Sequence, residues 1–152
     1  MKLTLKRTEF DEEARADFRN LPFQSAVTFE ETQYEALVKA GAIIVFAIET
    51  KTCERAGTLF CAIYPRAAIG ISGGGNALFV LGAVSRKNPN VGRLYRDIHV
   101  ALFCAARELG CRCIQAEARR KGVVRMLKDE GFHEVATTLQ KEVLDEDVRD
   151  NE

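Results

Sequence analysis

The chain has no tryptophan, only two histidines, two methionines and three prolines in 152 residues, and its 22 basic side chains are cancelled by 22 acidic ones. Each scarcity narrows the field. Neither His99 nor His133 has a second ligand close by in sequence, so no metal site is legible and none is expected. Zero net charge leaves no overall attraction to nucleic acid or to an anionic membrane. No apolar run approaches the roughly 20 residues that span a bilayer, and the opening MKLTLKRTEF lacks an apolar stretch of signal-peptide length. No membrane association and a soluble, cytoplasmic protein are the expectation. No tandem repeat is visible. The five cysteines, Cys53, Cys61, Cys104, Cys111 and Cys113, are odd in number and several sit in apolar stretches. They read as reduced, mostly buried thiols rather than a disulfide framework.

What remains is an ordinary globular composition, 47% hydrophobic and 29% charged. One domain over residues 1–143 with an acidic, unpatterned tail at 144–152 is expected. Leu3 and Leu5 alternate with Lys2, Thr4 and Lys6 in a half-buried first strand. Phe10, Ala14, Phe18 and Leu21 then recur at helical spacing, with Asp11, Glu12 and Glu13 in the first turn, where negative charge suits the helix dipole. Thr28 and Glu31 have capping-box spacing ahead of a second helix carrying Tyr34, Leu37 and Val38. Ile43–Glu49 and Thr58–Tyr64 read as strands joined by a polar hairpin. The glycine-rich GISGGGN at 70–76 precedes a strand, whereas a phosphate cradle follows one, so it reads as a connection. Val135, Leu139 and Val143 suggest a last strand over Glu134–Val143.

The segment Ala77–Phe132 organises the rest. Ala77–Ser85 is a continuous apolar run of strand length. Leu94, Ile98, Ala101, Leu102, Ala105 and Leu109 then repeat at helical spacing up to Gly110. Cys113–Ala118 alternates again, with Ile114, Ala116 and Ala118 on one face and Cys113, Gln115 and Glu117 on the other. A parallel crossover follows from this order, and both connecting loops are basic.

This order, with the helix ending AARELG and the closing RMLKDEGF at Arg125–Phe132, resembles the acetyl-CoA-binding half of the GNAT N-acyltransferase fold. The resemblance implies an α/β protein with a mixed central sheet of about six to seven strands flanked by about four helices. It implies acetyl-CoA as co-substrate and an amine of a small molecule or protein as acceptor. In that family the amides of the loop after the fourth strand, and the helix N-terminus behind it, hold the CoA pyrophosphate. Carried onto this chain, the positions are Val84, Ser85, Arg86, Lys87, Gly92, Arg93, Leu94 and Arg96, with Arg120 from the second loop. The loop, Arg86–Arg93, is longer than the family's, and its Pro89 removes one amide donor. The family's asparagine at the last helix falls on Arg120 and its general-acid tyrosine on Leu127, which carries no transferable proton.

The attacking amine must shed a proton, which makes Glu117 and Glu49 the candidate bases. Tyr64, with Tyr95 and Ser85 behind it, is a candidate donor to the departing sulfur, and Tyr95 is assigned to the packing of its helix. A solvated basic face is the alternative reading of the two loops. Nucleic-acid binding ranks lower, because few aromatics interleave with these charges. The long loop and missing tyrosine also resemble GNAT-like proteins of tailed bacteriophages. That resemblance implies a non-catalytic structural or protein-binding component, located in a virion.

Overall fold

Period-two alternation of apolar residues, carried through three successive strands, gives this molecule a sheet covered on both faces. The computed structural model describes residues 3–21, 30–65, 74–86, 91–118, 120–135 and 141. The elements run β1 (Thr4–Thr8), α1 (Glu12–Arg19), α2 (Glu31–Lys39), β2 (Ile43–Glu49), β3 (Arg55–Pro65), β4 (Asn76–Ser85), α3 (Val91–Glu108), β5 (Cys111–Ala116) and α4 (Lys121–Asp129). The strands lie in sequence order, β1-β2-β3-β4-β5. The first three pairings are antiparallel, and β4 with β5 is parallel through the α3 crossover.

One core gathers Ile44, Phe46 and Ile48 of β2, Leu59 and Cys61 of β3, and Leu78 and Val80 of β4 against Leu94, Ile98, Leu102 and Ala105 of α3. The other gathers the opposite parity, Ile43, Val45, Phe60, Ala62 and Leu81, against Ala14 and Phe18 of α1 and Tyr34 of α2. Phe60 is fully buried there, edge-on to Phe10, Phe18 and Tyr34 at centroid distances of 6.4, 6.1 and 5.6 Å.

Asp11 caps α1 by accepting from the Ala14 amide at 2.8 Å. The cap expected at Thr28 lies outside the described residues; α2 begins after Glu30, whose amide donates to Gln33 Oε1 at 2.9 Å. β3 starts at Arg55 and α3 at Val91, three residues earlier than the positions read from periodicity, because backbone hydrogen bonding extends an element past the residues that pack into the core. Five strands are present among the described residues, not six to seven. Residues 132–135 belong to no strand. Most of the expected strand 134–143 lies outside the described residues. No helix among them is long and apolar enough to cross a membrane.

Candidate functional site

The organising feature of the site is one extra residue in β4. Phe60 pairs with Gly82 and Cys61 with Val80, so Leu81 has no opposite number on β3. Such a bulge shifts side-chain parity. Leu78 and Val80 face the α3 core, Leu81 faces the α1 core, and beyond it the α3 core is met by Ala83. The parallel ladder with β5 ends at the same level, at Val80 opposite Ala116. β4 nevertheless continues to Ser85, paired with β3 on its other side. The ladder therefore runs the whole length of β5 but only the first half of β4, because β5 ends at Ala116.

On the α3 face, below the end of the ladder, lies a shallow cleft with a cavity volume of about 10 Å³, room for about one water molecule. Val80, Ile114 and Ala116 form its floor, and Tyr95, His99 and Leu102 of α3 form one wall. Met126 and Leu127 of α4, with Glu130 and Phe132 just beyond it, form the other. Ile114 and Ala116 thus share the face that strand alternation predicts. Gly131, at φ +92°, turns the chain so that Glu130 and Phe132 both reach α3. His99 Nε2 stands 4.0 Å from Glu130 Oε2, and its ring meets Phe132 edge-on at 6.4 Å. Burial pushes the Tyr95 phenol far above its ordinary value, with the neighbouring Cys61 adding to the shift. Leu127, where the resembling family has its tyrosine, is buried in the same wall.

The cations expected around the anion are arranged differently from one another. Arg86 follows β4 directly, its amide bonded to the Ala56 carbonyl at 2.9 Å. Its guanidinium turns to α1, donating to Asp17 at 2.9 and 3.3 Å and to Glu13 at 3.1 Å. The hydrogen bonds it donates to Asp17 raise the Arg86 pKa further, with burial opposing and Glu13 assisting. Asp17 is 4% exposed and also accepts from Thr58 Oγ1 at 2.6 Å. Arg55 completes the cluster, reaching Thr58 at 3.0 Å, Asp11 at 2.6 Å and Glu13 at 3.2 Å. Arg96 lies 3.8 Å from Glu130. Gly92 and Arg93 fall in the first turn of α3, and Leu94 is 1% exposed in the core, so its side chain takes no part in a surface site. Val84 and Ser85 are half-buried at the end of β4, and Arg120 is exposed at the start of α4. Lys87 lies outside the described residues.

The three candidate catalytic side chains are not brought together. Glu49 ends β2 on the level of Arg55, with β3 and β4 between it and β5. Tyr64 is at the opposite end of β3, paired with Ala77 and edge-on to Phe79 at 5.8 Å. Glu117 is half-buried one residue past β5, beside the separation, and by strand alternation on the face away from the cleft. His99 and Glu130 as cleft residues were not legible in sequence, and Tyr95 was legible only as packing. The signal that pairs them is the spacing of Tyr95 and His99, four apart and so stacked on one helix face.

No family profile matches the sequence, and no curated protein matches it either. Solved structures do. An acetyltransferase of Trypanosoma brucei superposes with a TM-score of 0.60 at 14% identity, covering 93% of this chain and 100% of that one. Glucosamine-6-phosphate N-acetyltransferase of Arabidopsis thaliana gives 0.59 at 15% identity, covering 93% and 99%. An aminoglycoside N-acetyltransferase in complex with CoA gives 0.61 at 13% identity, covering 93% and 94%. At these identities the shared property is the fold.

Proposed function

We propose that this chain, which has the acetyltransferase fold, is an acyl-CoA-dependent N-acetyltransferase acting on an amine of a small molecule or protein. The observation that carries the reading is the β4/β5 ladder, which stops at Val80 and Ala116 while β4 runs on to Ser85. A pantetheine arm is a strand-like chain of amides, and it suits the edge of β4 that extends past the end of β5. The CoA complex of the aminoglycoside acetyltransferase similar to this chain supports the same choice of co-substrate.

In this reading the amides at the start of α3, around Gly92, Arg93 and Leu94, take the pyrophosphate together with Lys87 and the ends of Val84 and Ser85. Arg96 and Arg120 supply charge at the rim, and Arg86 holds the end of β4 rather than the phosphates. The amine nitrogen attacks the thioester carbon, the C–N bond forms, and the C–S bond breaks. Glu117, on the face opposite the cleft, takes the amine proton directly or through water. Glu49 and Tyr64 lie too far along the sheet from Glu117 to share that step with it.

Isothermal titration with acetyl-CoA tests the reading. Micromolar affinity is expected, and no heat at millimolar concentration would remove it. The second reading is a GNAT-fold protein without catalysis that serves as a structural or protein-binding component, for example of a bacteriophage virion. The lock of Arg86 onto Asp17 and the leucine at position 127 favour it, and absence of CoA binding would select it.

A further inference from the structure

The resembling family delivers a proton to the departing sulfur from the position that is Leu127 here, so an active enzyme of this sequence needs another donor. Within the cleft the candidates are Tyr95, His99 and Glu130. His99 and Glu130 face each other at 4.0 Å, and Glu130 also faces Arg96 at 3.8 Å. The Tyr95 hydroxyl, in contrast, makes no hydrogen bond to any described residue, although its ring packs against the main core. A phenol in such surroundings forfeits a hydrogen bond unless a ligand completes it. Tyr95 lies across the cleft from Leu127, over the same Val80 and Ala116 at which the two strands part.

Resting on the acyltransfer reading above, we infer that Tyr95 is the hydrogen-bond donor to the CoA sulfur, approaching from α3 the place that Leu127 leaves without a donor on α4. In the transfer step the C–S bond breaks toward sulfur, the Tyr95 hydroxyl donates a hydrogen bond to the forming thiolate, and the thiolate departs with CoA and takes its proton from solvent. The phenol keeps its proton throughout, and the proton lost by the amine goes to Glu117. Burial keeps Tyr95 in its protonated form well above the pH at which a thiol ionises, so it remains a donor throughout.

The same hydrogen bond has a signature that needs no knowledge of the acceptor. A free alkyl thiol ionises at about pH 8.5, and a phenol donating to the thiolate lowers that value in the complex. CoA should therefore bind more tightly as the pH is raised from neutrality through the thiol's range, by about tenfold for one charge-assisted hydrogen bond. The other titratable groups around Tyr95 are Cys61 on β3, His99 on α3 and Glu130 after α4. Desulfo-CoA, titrated beside CoA at pH 7 and 9.5, reports their effect alone.

For the unaltered protein, CoA is expected to gain about tenfold and desulfo-CoA nothing. Tyr95→Phe should abolish the gain while leaving desulfo-CoA binding intact, which also certifies the fold of the variant. Adding Leu127→Tyr to Tyr95→Phe should restore the gain by returning a phenol to the cleft from the other wall. Survival of the CoA gain in Tyr95→Phe overturns the assignment and leaves the acyltransfer reading standing. Failure of the unaltered protein to bind either nucleotide overturns both.

Discussion

Asp17 Oδ2 accepts from Arg86 at 2.9 Å, joining α1 to the end of β4 across 69 residues of sequence. The carboxylate is almost wholly covered while the guanidinium is 45% exposed, so the pair sits between the buried and surface regimes. Asp17→Ala strips Thr58 and Arg86 of their shared acceptor, and an expected loss of about 2 kcal/mol in unfolding free energy follows. Combining it with Arg86→Met should cost less than the sum of the two single changes, because each alone strands the other's charge. Urea denaturation of the four proteins reads both quantities.

Acid should loosen the same corner. Burial pushes the Asp11 carboxyl up, but hydrogen bonds from Arg55 and the Ala14 amide outweigh it and hold the group below the usual carboxylate range. A depressed folded-state value contributes stability that is present above the unfolded value of about 3.9 and is lost as pH falls through the folded one. The stability difference between the unaltered protein and Asp11→Asn is therefore expected to be constant near neutrality and to shrink below about pH 4. Thermal midpoints measured from pH 7 down to 2.5 check this.

Gly57 is needed for closeness rather than for turning. A β-carbon there would fall on the carbonyl oxygen of Val84 in the adjacent strand, so Gly57→Ala must push β3 from β4 at an expected cost of about 1–3 kcal/mol. Gly122, in α4, has open space around it. Gly122→Ala should gain about 0.5 kcal/mol through helix propensity, and opposite shifts of the denaturation midpoint are the expected pair of outcomes.

The five thiols should separate into classes. Cys53 and Cys104 are exposed, whereas Cys61 and Cys111 are buried. Burial also pushes both of the latter thiols up, away from the reactive thiolate. With a water-soluble maleimide at pH 7, mass spectrometry should find Cys53 and Cys104 labelled first, and Cys61 and Cys111 only in denaturant.

Most of the sheet could be read from the chain because β2, β3 and the crossover unit each carry their own periodicity. Ile114 and Ala116 were assignable to one face from a six-residue alternation, and the interval from Leu94 to Leu109 fixed the buried side of α3. Arg86 shows where such reading stops. Its position after an apolar strand marks it as a phosphate ligand, but its partner Asp17 belongs to the first helix, and no local pattern relates the two. The cleft had the same difficulty, since His99 meets Glu130 only after Gly131 turns the end of α4 back onto α3. The bulge left one legible trace, Gly82 in the middle of an otherwise bulky strand. The expected seventh and sixth strands came from analogy and from a weak alternation after Glu134; the described residues hold five strands, and most of 134–143 lies outside them.

The unmatched Leu81 has a consequence for how this protein can change over generations. A crevice made by side chains fills in with one larger residue, whereas this opening is written into the count of residues between Val80 and Gly82. Substitution can alter its lining but not erase it; closing it takes an in-frame loss of a codon, after which Leu78, Val80 and Ala83 would follow one another on one face in unbroken alternation.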